Sequence, residues 1–303
     1  MCLHLTVGLE GVGCRVQDST VLEILKERLY EHLRQVARDR DPYLATAGHF
    51  FVREYIRAQL AQWGTVETHA FHVQGTEFQN LILNLPGRSS KPPILIGAHY
   101  DAVPGSAGAD DNATGVAVLL ELARCFASTP ARHPVRLVAF DLEETSYDRA
   151  GSTHYANSLR QDLQQEPLRL MLSLEMLGYC DQTPGSQRYP TGLQRFYPKQ
   201  GNFIALIGNL KTIPDLVRLS HYLRSCGAPC EWLPAGNRGL IVPETRRSDH
   251  AVFWDQGYRA LMVTDTSFLR NPHYHKPSDR LETLDLNFLT TVCCGLAQGL
   301  RRL

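Results

Sequence analysis

Six short runs of the chain, 80–85, 93–98, 135–141, 170–175, 203–208 and 258–264, have strand character, and several are apolar at successive rather than alternate positions. Side chains on a strand point to opposite faces in turn, so a run with no polar face has to be covered on both sides. Between these runs lie stretches with helical spacing. Val52, Tyr55, Ile56 and Leu60 recur at three- and four-residue intervals, as do Val116, Leu119, Leu120 and Ala123. Apolar strands alternating with amphipathic helices predict a three-layer α/β/α protein around a central, mostly parallel, mixed sheet.

The 303 residues, 43% of them hydrophobic, are enough for such a core. Lys and Arg number 31, as do Asp and Glu. That balance offers no basic excess for a nucleic acid, so no nucleic-acid partner is expected. The longest apolar stretches fall far short of the roughly 18 residues that cross a bilayer, and no membrane association is expected. Residues 1–18 lack a basic leader and read as a loosely attached segment ahead of one catalytic domain, 19–303; the expected location is cytoplasmic. Gly8, Gly11 and Gly13 have no Gly-Lys-Ser/Thr after them and make no phosphate loop. The eight cysteines contain no Cys-x-x-Cys pair, which suits reduced thiols. Nothing in the sequence fixes the oligomeric state.

Open α/β sheets place ligands at the carboxyl ends of their strands. His99, Tyr100 and Asp101 follow the run at 94, and Glu143 and Glu144 follow the run at 135. The run at 170 ends on Glu175, and the last run leads on to His273, Tyr274 and His275. Between the first two lies Asp110-Asp111-Asn112, entering a helix. Each group alone has a plain explanation as a surface pair, a helix cap or a solvated face. Together they supply imidazoles and carboxylates without thiolates, the donor set of a hydrolytic zinc centre. Two metals sharing one carboxylate need five ligands, and the inventory holds them with carboxylates to spare. Adjacent side chains such as Glu143 and Glu144 diverge, so one can ligate while its neighbour acts as general base. Asp101, two residues from His99, is placed to accept the other imidazole N–H. Either His273 or His275 could be a ligand.

These motifs, GAHYD at 97–101, GADDNATGVA at 108–117, AFDLEET at 139–145, SLEMLGY at 173–179, SDH at 248–250 and NPHYHKPSD at 271–279, resemble those of the two-zinc aminopeptidases. That family includes bacterial leucyl aminopeptidases and, more distantly, the glutamate carboxypeptidase catalytic domain and the glutaminyl cyclases. The resemblance implies an exopeptidase that takes residues from the N-termini of peptide substrates. It implies two Zn2+ per chain, with Co2+ or Mn2+ as substitutes. Asp111 would bridge the metals, one of them also held by Glu144 and His275, the other by His99 and Glu175. Glu143 would be the base acting on a bridging water, Asp101 the partner of His99, and Tyr274 a donor to the oxyanion. A cis peptide bond is implied between Asp111 and Asn112. Many relatives carry Asp at the position of Glu175, whose extra methylene shifts the carboxylate by about one bond length.

Ser248-Asp249-His250 is not a catalytic triad, because contiguous residues cannot line up as nucleophile, base and orienter. Ser248 is expected to cap a helix running through Trp254, while Asp249, His250 and Arg247 are candidate substrate contacts. Residues 181–202 and 233–247 form irregular stretches suited to pocket walls. Two rival readings are a single-zinc glutaminyl-peptide cyclotransferase and a non-catalytic scaffold of the same fold.

Overall fold

The computed structural model describes residues 19–145, 149–160 and 167–303, so the expected loose segment 1–18 lies outside the described residues. Its elements run α1 (Ser19–Val36), α2 (Thr46–Ala61), β1 (Val66–Val73), β2 (Thr76–Leu85), β3 (Ile94–His99), α3 (Gly115–Ser128), β4 (Val135–Phe140), α4 (Ala150–Ser158), β5 (Leu170–Glu175), β6 (Ile204–Asn209), α5 (Ile213–Ser225), β7 (Cys230–Ala235), α6 (His250–Asp255), β8 (Ala260–Thr264) and α7 (Leu286–Arg302). The strands form one sheet in the order β1-β2-β4-β3-β5-β8-β6-β7. Its centre is parallel: β3 pairs in parallel with β4 and β5, and β5 with β8. The flanks add antiparallel pairings of β1 with β2, β2 with β4, and β6 with β8. The expected mixed three-layer architecture is therefore observed.

Covering on both faces explains the apolar strands. Ile94, Ile96 and Ala98 of β3, Leu137 of β4 and Leu172 of β5 point into a large core shared with α1, α2, α3, α5 and α7. Leu95, Val138, Phe140 and Met171 point the other way, where Tyr155 of α4 and Phe253 and Trp254 of α6 close over them. Gly97 faces Phe140, and a Cβ there would sit 2.3 Å from the ring.

Two strands do not follow from the sequence pattern. The strand β1 is an edge with half its positions exposed, and it recruits Thr76 to Gln79 into β2 ahead of the expected start at 80. The other edge, β7, lies only partly buried and occupies the first residues of the stretch expected to be irregular from 233. Among the described residues no helix is long and apolar enough to cross a membrane. Cys226 and Cys230 are both free.

Chain direction at the sheet centre positions the site. From β3 the chain crosses to β4 on one side, and β5 then pairs on the other, so β3 stands where the order of connection reverses. The carboxyl ends of β4, β3, β5 and β8 open there side by side. Truncation of the fully buried Leu172 to alanine is expected to cost about 2–5 kcal/mol, read as a lower denaturant midpoint at unchanged slope. A loss below about 0.5 kcal/mol would place that side chain outside the rigid core.

Candidate metal centre

His99 ends β3, Glu175 ends β5, and Glu143 and Glu144 leave β4. A short helical turn, Ala109–Thr114, carries Asp111 into α3, and its Asp111-Asn112 peptide bond is cis as expected. Asn112 holds the turn in place: its side-chain amide donates to the Leu174 carbonyl at 2.8 Å and its Oδ1 accepts from the Met176 amide at 3.1 Å. The carboxylate of Asp279 accepts from the amides of Asp110 and Asp111 at 2.9 and 3.1 Å.

All five expected ligands meet. His99 Nε2 lies 3.4 Å from Asp111 Oδ1 and 3.6 Å from Glu175 Oε1, and His275 Nε2 lies 3.2 Å from Asp111 Oδ2 and 3.0 Å from Glu144 Oε1. Donor atoms of His99, Asp111 and Glu175 all fall within 4.8 Å of one another, as do those of Asp111, Glu144 and His275. The two triads share Asp111, as a bridging ligand requires. Glu143 forms a further group with His99 and Glu144. Asp101 Oδ1 lies 3.3 Å from His99 Nδ1, and its carboxylate accepts from the amides of Glu143 and Glu144 at 3.1 and 2.9 Å. One buried carboxylate thus lies against the imidazole and ties down the turn that carries Glu143 and Glu144.

The residues fit a pair of cations. Nε2 of His99, which faces the other carboxylates, and both oxygens of Asp111 are buried without a hydrogen-bond partner. Leaving a buried polar atom unpaired costs about 1–3 kcal/mol, which coordination would offset. Burial and the adjacent Glu144 push the Glu143 carboxyl well above the ordinary carboxylate range. Burial and Asp111 raise Glu144 to about 8. Burial alone would strip the imidazoles of their protons, yet Glu175, Asp101 and Asp111 hold His99 well above its usual range. Against the same penalty, Asp111 and Glu144 hold His275 at about 10. The cluster retains protons where a metal centre would hold cations.

Around the centre opens a cleft of about 390 Å³, lined by Glu143, Glu144, Glu175, Arg247, Phe268 and Tyr274 among others. The guanidinium of Arg247 stands over the Phe268 ring, 4.7 Å from its centroid. Tyr274 stacks on His275 with ring centroids 3.7 Å apart, and burial and the nearby Asp111 raise its phenol, keeping the O–H as a donor. Past the rim formed by Ile207, Glu244, Thr266 and Leu269 lies a second, smaller cavity, lined by Tyr189, Leu193, Tyr197, Phe203 and Trp232. The irregular stretches thus serve as pocket walls.

Three expectations need correction. Ser248 does not cap α6: its hydroxyl donates to Glu175 Oε2 at 2.7 Å, a charged acceptor that outcompetes a helix amide. Neither Asp249 nor His250 lines the cleft. His250 is fully buried, with Nε2 2.8 Å from the Thr245 carbonyl and its ring edge-on to Trp254, and burial lowers its pKa to about 3. Asp249 lies 1% exposed beneath the centre, where burial lifts its carboxyl to about 7. His273 turns instead to Ser278 Oγ at 3.0 Å, which leaves His275 to face the carboxylates. Sequence reasoning gave no role to Asp279 or to the pair His49 and Asp141, joined at 2.7 Å. Asp279 and Asp141 lie within the motifs at 271–279 and 139–145, whereas nothing near His49 in sequence marks it.

Comparison with known proteins agrees with this geometry. Residues 80–297 match the profile of Peptidase family M28. The chain belongs to Peptidase family M28. It is 35% identical over 256 residues to the uncharacterized protein YfbL of Escherichia coli, covering 80% of this chain and 77% of that one. Over 117 residues it is 37% identical to the aminopeptidase YwaD of Bacillus subtilis, a match that spans 38% of this chain and 24% of YwaD. The M28 fold recurs in the Legionella pneumophila LapA aminopeptidase, with TM-score 0.70, 18% identity, and 98% and 78% of the two chains covered. It recurs equally in a glutaminyl cyclase of Macrostomum lignano, with TM-score 0.67, 17% identity and coverage of 93% and 92%.

Since His99 and His275 hold protons that ligation must displace, zinc affinity of this M28 chain is expected to rise with pH throughout the range below about 10. Calorimetric titration in buffers of different ionisation enthalpy reads the protons released. Affinity independent of pH, with no proton release, would contradict the ligand assignment.

Proposed function

We propose that the chain is a metal-dependent aminopeptidase that releases N-terminal residues from peptides at a two-zinc centre, with Co2+ or Mn2+ as substitutes. The observation that carries this reading is the pair of ligand triads sharing Asp111, with Glu143 beside them in the same cleft. Asp111, Glu144 and His275 would hold one ion, and Asp111, His99 and Glu175 the other. Bound zinc supplies Lewis acidity toward the scissile carbonyl and makes water a nucleophile near neutral pH. Glu143 takes the proton of the attacking water and delivers it to the leaving amine. Tyr274 directs its O–H at the oxygen on which negative charge develops. Asp101 fixes the His99 ring through Nδ1. The acidic wall of Glu143 and Glu175 receives the substrate's ammonium, and Arg247, held flat on Phe268, faces the carboxylate of a short peptide. The apolar cavity behind Ile207 and Leu269 takes the side chain of the N-terminal residue.

The glutaminyl cyclase reading requires near one zinc per chain and ring closure of an N-terminal glutamine; elemental analysis with a Gln-peptide assay separates it from peptide cleavage. For the base, Glu143→Gln is expected to keep wild-type metal content while kcat falls by about 10²- to 10⁴-fold on an aminoacyl amide. Retention of both metal and rate would remove Glu143 from the chemistry. For the cavity, Ile207→Trp at its rim is expected to lower kcat/KM for a phenylalanyl amide about tenfold relative to an alanyl amide. An unchanged ratio would send the side chain elsewhere.

A further inference from the structure

The segment matching the family begins at residue 80, yet a residue far ahead of it reaches the back of the metal centre. Arg40 is completely buried. Its Nε donates to the Tyr100 carbonyl at 2.8 Å. Nη1 donates to the carbonyls of Ala107 and Arg38 at 2.6 and 3.2 Å, and Nη2 to those of Gly108 and Asp111 at 2.9 and 3.3 Å. A guanidinium has five N–H donors in one plane, and here five main-chain oxygens receive them.

The acceptors carry the meaning. Tyr100 stands between His99 and Asp101, while Ala107, Gly108 and Asp111 belong to the loop that delivers the shared carboxylate. One cation therefore ties together two ligand-bearing segments. Asp111 is gripped at both main-chain ends, its carbonyl by Arg40 and its amide by Asp279. Its side-chain oxygens are left facing His99 and His275. The loop wraps so closely that a Cβ on Gly108 would come within 2.9 Å of the guanidinium. Burial lowers Arg40 to about 10, with Asp111, Asp101, Asp279 and Glu144 opposing, so it stays charged at neutral pH.

We infer that Arg40 is a positioning residue of the metal centre, whose fork fixes the main chain so that the Asp111 carboxylate points between the two imidazoles. The inference rests on the metal-centre reading above. A lysine keeps the charge but offers three donors from a single point, and it cannot span five carbonyls in a plane.

The test uses Arg40→Lys, Arg40→Gln and Arg40→Ala in the full chain. Zinc affinity is read by competition with a chelator, and thermal melts and circular dichroism of the metal-free proteins report folding separately. Folded Arg40→Lys is expected to bind zinc about 10- to 100-fold more weakly than wild type, with kcat reduced more than KM on an aminoacyl amide. Arg40→Gln and Arg40→Ala should be weaker again. Wild-type zinc affinity in a folded variant overturns the inference while leaving the aminopeptidase reading intact. Collapse of all three metal-free variants also overturns it, making Arg40 a folding residue. A wild-type chain that takes up no zinc overturns the metal-centre reading and this inference with it.

Discussion

Four carboxylates, those of Asp111, Glu143, Glu144 and Glu175, crowd two imidazoles at the carboxyl ends of three neighbouring strands, and the rest of the structure answers that crowding. Like charges so close and so shielded from solvent must take up protons or gain cations. The raised pKa values of Glu143, Glu144, His99 and His275 describe the first solution, and the unpaired atoms of His99 and Asp111 point to the second. Around them, donors are spent on holding acceptors still. The amides of Glu143 and Glu144 go to Asp101, the Ser248 hydroxyl to Glu175, and the amides of Asp110 and Asp111 to Asp279. Asp101, Glu175 and the main chain of Asp111 are thus held in place by the chain itself, preorganisation of the kind that a catalytic centre requires and an acidic patch lacks.

The centre of the fold was legible because physical necessity writes itself into the strands. A strand buried on both faces is mostly apolar, so β3, β4 and β5 stand out from the surrounding chain. The residues at and just beyond their carboxyl ends are polar for a reason other than solvent, and His99, Glu143, Glu144 and Glu175 were found there. Edge strands obey a weaker rule. β1 mixes exposed and buried positions, and β7 is mostly half-covered, so neither pattern departs far from that of a loop.

The errors share one cause. Ser248 has the right identity and place for a helix cap, but a nearby ionised carboxylate is a stronger acceptor than the frayed end of a six-residue helix. His250 looks like a polar residue in a motif, yet α6 packs it under the sheet against Trp254. Local propensity decides such residues only when no distant partner makes a better offer, and distant partners are invisible in a linear reading. Arg40 is the extreme case, since nothing near it in sequence announces five carbonyls spread over residues 38 to 111.

The order of strands in the sheet also sets when the centre can exist during folding. Its ligands run from position 99 to position 275, and β8, which leads to His275, takes its place between β5 and β6. A nascent chain ending before β8 has His99, Asp111, Glu144 and Glu175 but lacks the second imidazole. The site therefore closes only after nearly all of the sheet has been synthesised and paired. Cations held by the two triads would therefore favour completed molecules, and their binding energy would add to the stability of those alone. Metal acquisition through these five residues would then act as a late checkpoint, favouring finished chains over partial ones.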